Sequence, residues 1–174
     1  MKNCKSIVAA VAVSLLSIVP AKADSYVNPY IGLNATLSRV KSKNKVLPTI
    51  VAGNTFKFGS FYVEPEIKFN AIDNVYKKKS LNNLRFKDTY GLNLNLGYEF
   101  IDSFSFFANV SENYMQVKTN NFSKNKLAIG YGCGLRYDVL DKLSLSVKFD
   151  TKEFKKSGIK ATTRQLAMGI RYNF

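Results

Sequence analysis

The sequence contains no histidine. Imidazole is the side chain that ordinarily titrates near neutrality and the commonest metal ligand, so His-dependent catalysis and His-ligated metal sites are excluded. Cysteine is nearly absent as well, with Cys4 and Cys133 the whole supply. There is no CxxC pair, no phosphate-cradling glycine loop and no GxSxG elbow. Acidic residues are scarce, 12 against 26 Lys and Arg, which leaves a formal charge of +14. Long apolar runs are scarce too. The one that occurs, Ile7 to Val19, is shorter than the roughly 18 residues that a transmembrane helix needs, and no other stretch reaches that length.

That single run has a different use. Lys2 and Lys5 precede it, and Pro20 with Ala21-Lys22-Ala23 follows it. A charged start, an apolar middle and an A-x-A end are the layout of a secretory signal peptide. Residues 1–23 are therefore expected to be removed, leaving one domain over residues 24–174 that begins at Asp24. Three lysines leave with the leader, so the charge falls from +14 to +11. Cys4 leaves as well, and because it precedes the apolar run it does not support a lipid anchor. Cys133 is then alone, no intrachain disulfide is possible, and its place among alternating apolar neighbours marks an inert thiol.

A basic excess raises the question of nucleic acid. The distribution answers it. Lysines crowd the gaps between patterned segments, as in Lys41, Lys43 and Lys45, in Lys77, Lys78 and Lys79, in Lys124 and Lys126, and in Lys155, Lys156 and Lys160. No nucleic-acid-binding motif accompanies them. Charged connections suit a solvated rim, or a surface meeting anionic headgroups or glycans.

Alternation of period two dominates the rest, and it means a strand with one apolar and one polar face. Eight such segments are predicted, near 26–40, 46–58, 61–72, 85–100, 104–118, 126–139, 143–154 and 161–174. The last runs ATTRQLAMGIRYNF, with Leu166, Met168, Ile170, Tyr172 and Phe174 on one face. The sixth is the most regular, Leu127, Ile129, Tyr131, Cys133, Leu135, Tyr137 and Val139 opposing Ala128, Gly130, Gly132, Gly134, Arg136 and Asp138. The second has no clear phase, and Pro48 is expected to hold its start at an edge or loop. Strands of 10 to 14 residues exceed the usual five or six of soluble sheets. Tight connections at 57–60, 101–103 and 140–142 alternate with longer ones near 41–45, 73–84, 119–125 and 155–160.

Alternation alone does not say which face is outside. Three features point to the apolar one. The polar face is rich in small residues, such as Gly32, Ala128, Gly130, Ala167 and Gly169, which fit a narrow lumen. Phe100, Phe104, Tyr137, Tyr172 and Phe174 lie on the apolar face near strand ends, as in an interfacial girdle. The polar face also carries both signs of charge in mid-strand: Glu64, Glu66, Lys68, Glu99, Arg136, Lys148, Asp150 and Arg171. Buried charges require partners, so Glu64, Glu66 and Glu99 are expected to pair with Arg136, Lys148 and Arg171 across the lumen.

These residues resemble the eight-stranded outer-membrane β-barrels that include opacity-type surface proteins and the membrane domain of OmpA. The resemblance spans about residues 26 to 174 and rests on the leader, the strand count, the Val63-Glu64-Pro65-Glu66 strand, the glycine-rich sixth segment and the terminal Tyr172-Asn173-Phe174. It implies an all-β, eight-stranded, antiparallel up-and-down transmembrane barrel with short periplasmic turns and longer extracellular loops. It also implies that the barrel assembly machinery reads Tyr172 and Phe174 as the C-terminal signal. No soluble peptidoglycan-binding domain is expected beyond the barrel, so a cell-wall tether is not implied.

The expected setting is the outer membrane of a Gram-negative bacterium after Sec-type export. The expected role is that of a structural or surface-exposed protein of adhesin or antigen type, working through basic loops in which Lys77, Lys78 and Lys79 stand out. No catalysis, cofactor, metal or nucleic acid is expected. Outer-membrane lipid, the assembly machinery and host or cell-surface molecules are the expected partners, and the expected state is a monomer. A small pore for ions or solutes, and a soluble periplasmic ligand-binding barrel with the faces reversed, are the alternatives.

Overall fold

Alternating segments become long antiparallel strands in the computed structural model, which describes residues 27–40, 43–70, 76–78, 84–119, 122–156 and 159–174. The proposed leader lies outside these residues. The strands are β1 (Val27–Val40), β2 (Lys43–Phe58), β3 (Phe61–Asn70), β4 (Tyr76–Lys78), β5 (Leu84–Ile101), β6 (Phe104–Thr119), β7 (Phe122–Leu140), β8 (Leu143–Lys156) and β9 (Ile159–Asn173). From β1 to β3 and from β4 to β9 each strand pairs with its chain neighbours, β1 pairs with β9, and β3 pairs with β5. The sheet is thus a closed ring. The short β4 lies along the far part of β5 while β3 lies along the near part, so the two share one place in the ring and the barrel has eight staves.

Closure needs stagger. Following paired residues once round, from Glu153 through Ile129, Glu112, Leu92, Ile67, Ala52, Ile31 and Tyr172, returns to β8 at Leu143, ten residues below the start. A stagger of this kind tilts the strands, typically by 35–45°, and eight strands leave a lumen that side chains fill.

The barrel is inside-out relative to a soluble protein. Leu33, Leu96, Val110, Ile129, Leu135 and Met168 are among the large apolar side chains on its outer face, while Glu64, Lys68, Asn93, Asn109, Arg136 and Asp150 are buried within. At one end the outer face carries an aromatic girdle. Phe61 and Tyr98 rings lie 4.8 Å apart, Phe104 and Tyr137 4.5 Å, and Tyr172 and Phe174 5.2 Å. The chain's described ends and the turns Gly59-Ser60, Asp102-Ser103 and Asp141-Lys142 all lie at that end. Each turn is tied to the next strand round: the N–H groups of Glu99, Asp138 and Asn173 donate to the carbonyls of Ser60, Ser103 and Lys142 at 2.8 Å. The N–H of Phe174 donates to the Pro29 carbonyl at 3.0 Å and completes the ring.

Three details differ from the sequence reading. The strands run further at the other end than alternation indicated, since β1–β2, β6–β7 and β8–β9 remain paired up to Val40↔Lys43, Thr119↔Phe122 and Lys156↔Ile159. Much of the extra length expected of those connections is therefore ladder. Pro48 is no strand start; it sits inside β2 opposite Ala35. The β2–β3 ladder begins one residue later, at Thr49↔Asn70, so the missing N–H falls at a ladder end and costs little. β2 itself turns Leu47 and Val51 inward beside Thr49 and Thr55, and these apolar lumen residues explain why its phase was illegible.

Candidate functional site in the barrel lumen

Period-two geometry delivers the charges to one place. Glu64 and Glu66 project from β3, Arg136 from β7, Lys148 and Asp150 from β8 and Arg171 from β9, all on the lumen side. Glu64 is the hub. Its Oε1 accepts from Arg136 Nη1, from Arg171 Nη1 at 2.8 Å and from Thr55 Oγ1 at 2.8 Å. The β2–β3 ladder skips Asn54, Thr55, Glu64 and Pro65, because proline offers no N–H at that point. The side chains of Thr55 and Glu64 bridge the gap.

Two aromatic rings carry the cations. The Arg136 guanidinium lies 4.2 Å from the Tyr62 ring centre and that of Arg171 lies 4.5 Å from Tyr30. Tyr30 Oη then donates to Glu66 Oε2 at 3.1 Å, and Asn93 Nδ2 donates to Glu66 Oε1 at 2.5 Å. Lys148 Nζ stands 3.6 Å from Glu66 and 3.8 Å from Asp150. The result is one connected chain from Tyr62 to Asp150 that crosses the lumen. Lys68 and Lys152 are also buried on the lumen face, where with Lys148 they line a second small cavity.

Glu99 departs from the expected pairing. Both its oxygens lie 3.2 Å from Lys57 Nζ, in a half-exposed pair at the girdle end, and it does not reach Arg136, Lys148 or Arg171. Lys57 read as part of a tight turn in the sequence, whereas β2 extends through it to Phe58. Tyr30, Tyr62, Thr55 and Asn93 were not singled out either, although each lies in the same alternating phase as the charges it serves. Lys77 and Lys78 lie on β4 opposite Arg85 and Leu84; their side chains, and Lys79 altogether, lie outside what the structure describes. Tyr172 faces outward from β9, paired with Ile31 and Leu143, and Phe174 stands just beyond it, exposed.

Little space remains around the cluster. One cavity of about 30 Å³ is bounded by Tyr30, Glu64, Glu66, Arg136, Lys148 and Arg171, and another of about 20 Å³ lies beyond Lys148. Each has room for about one or two waters. Arg136 Nη2, Asp150 Oδ1 and both amide atoms of Asn109 have no protein partner among the described residues, which is the demand such waters would meet.

A closed ring of tilted strands with an apolar band outside, an aromatic girdle and a charged lumen is a transmembrane β-barrel. The chain belongs to the outer membrane protein beta-barrel domain family, whose model matches residues 8–174. Family membership implies the Gram-negative outer membrane. The fold is similar to that of Neisserial surface protein A, with a TM-score of 0.58 at 12% identity over 87% of this chain and 100% of that one. It is similar to Ail, the attachment invasion locus protein of Yersinia pestis, solved in complex with the heparin analogue sucrose octasulfate, with a TM-score of 0.59, 12% identity and the same coverages of 87% and 100%. A major outer membrane protein from Thermus thermophilus matches with a TM-score of 0.54 at 14% identity, over 85% of this chain and 99% of that one. No curated protein matches the chain in sequence.

Proposed function

We propose that this is a surface-exposed outer-membrane protein of adhesin or antigen type, acting through the basic connections at the end of the barrel remote from its termini. The observation that carries the reading is the occluded lumen. The charge cluster crosses the lumen and leaves beside it cavities of about 30 and 20 Å³, each with room for about one or two waters, which favours the outside as the working surface. Lysines crowd that end of the barrel, many on the last rungs of strands, such as Lys43, Lys124 and Lys156, and give that surface an affinity for anionic polymers. The fold-level neighbour bound to a heparin analogue is a precedent of the same chemistry. Export by a leader over residues 1–23, delivery through the barrel assembly machinery and a monomeric state belong to the same proposal, as does the absence of catalysis.

The test is binding of the purified barrel to immobilised heparin and to host cells, with wild type beside Lys77→Gln/Lys78→Gln/Lys79→Gln and a deletion of residues 73–84. Loss of binding in both variants, with the cold-SDS folded band intact, supports the reading. Unchanged binding removes this loop. The charge cluster favours one second reading, a small pore gated by the lumenal ion pairs. Ohmic conductance in planar bilayers that rises in Glu64→Gln or Arg136→Ala would establish it in place of the first.

A further inference from the structure

Two like charges meet on the outer face. Arg39 on β1 and Arg164 on β9 are directly opposed in register, and both side chains are exposed. Residues so opposed have Cβ atoms about 5 Å apart, and like charges there repel. They cap an apolar column, Leu33↔Ile170, Ala35↔Met168 and Leu37↔Leu166, that belongs to the lipid-facing surface. Arg164 lies eight residues up β9 from girdle residue Tyr172. A strand tilted by 35–45° climbs about 2.5 Å per residue, so the pair stands about 20 Å above the girdle. An apolar band is about 25 Å tall, which puts the two guanidiniums at the opposite headgroup level.

Among the described residues, neither arginine joins an ion pair or a side-chain hydrogen bond. Thr151 faces Arg164 from β8, and half-buried Glu153 lies one outward position further along, opposite Thr162. Glu153 offsets charge on one flank and leaves the Arg39 flank basic. On the β5–β6 side Tyr90 and Tyr114 stack at 4.7 Å on the outer face, and half-buried Glu112 faces outward one position nearer the girdle. Among the described side chains, the exposed positive charge at this height lies at the β1–β9 seam.

Two planar guanidiniums side by side, at the edge of an apolar surface, match a phosphate group whose acyl chains lie along the column beneath it. We propose that Arg39 and Arg164 form a docking site for the phosphate of a membrane lipid, with the Leu33 to Leu166 column taking its chains. The proposal rests on the membrane setting of the barrel and not on what its loops bind, so loop-binding assays and the assay below fail independently.

Native mass spectrometry of the detergent-purified barrel, titrated with dioctanoyl phosphatidic acid, tests it. Dioctanoyl phosphatidylcholine serves as the neutral control, and inorganic phosphate as the competitor. Wild type should retain one phosphatidic acid in preference to phosphatidylcholine. Arg39→Gln/Arg164→Gln should bind it about tenfold or more weakly, each arginine near a surface contributing on the order of one factor of five. Lys142→Gln, with the same loss per site at the girdle end, should bind as wild type does. Wild-type retention by the double variant, or equal weakening in Lys142→Gln, overturns the site. Displacement of the lipid by inorganic phosphate at equal concentration overturns the lipid assignment. If the double variant fails to give the cold-SDS folded band, the single variants replace it, each expected to bind several-fold more weakly.

Discussion

A single carboxylate oxygen, Glu64 Oε1, gathers donors from β2, β7 and β9 onto β3. Replacing Glu64 with glutamine keeps its shape, takes from the buried Arg171 guanidinium the carboxylate it pairs with, and leaves Arg136 with Asp138 at 3.5 Å. A loss of about 3–5 kcal/mol is expected, because desolvation of the remaining charges is no longer offset. A urea titration of the cold-SDS folded band measures it, and a midpoint equal to wild type would refute the hub. Gly97 shows the converse constraint. The Tyr62 ring lies where a Cβ on Gly97 would stand, so Gly97→Ala displaces the ring that carries Arg136. A cost of about 1–3 kcal/mol is expected from overpacking, readable in the same titration. At this scale the sequence displayed which residues face inward, because alternation is local. It did not display who meets whom. Glu99 finds Lys57 because both lie near the girdle end, a fact about height within the barrel that no one strand encodes.

Strand boundaries are set by what interrupts a ladder. Pro65 breaks the β2–β3 pairing in mid-strand, and Thr55 and Glu64 answer with side chains. Pro48 breaks nothing, lying where the same ladder ends. Proline therefore reads ambiguously in sequence, since its cost depends on which neighbour its N–H would have faced. The turns differ among themselves as well. Gly59 takes φ of 62° with no Cβ to strain, whereas Ser103 holds φ of 75° with one. Ser103→Gly should remove that strain and raise stability by up to about 1 kcal/mol, visible as a higher urea midpoint with an unchanged slope. A lower midpoint would show that the serine side chain stabilises the turn by more than the strain costs.

At the scale of the molecule, the outer surface acts as a solvent boundary. Met168 lies near the middle of the apolar band, paired with Ala35 and Val147. Met168→Lys should cost about 2–4 kcal/mol in lipid vesicles, as expected for a cation at the midplane. The same change should cost far less in detergent micelles, whose looser interior admits water, and equal cost in both would argue that the site is not lipid-facing. Architecture was legible at this level because eight alternating segments, an aromatic end and a charged polar face agree on one solution. The pairing of lumen charges was not, because it follows from a stagger of ten residues accumulated over seven other strands. That stagger closes along the ladder from Tyr30↔Asn173 to Arg39↔Arg164, between the first and last described strands. The seam therefore keeps time. It cannot form until the last strand has been made, and until then β1 and the growing edge each offer an open row of hydrogen-bonding groups that a stranger could capture. A chain built this way has no closed intermediate, and the β1 edge stays open until β9 reaches it.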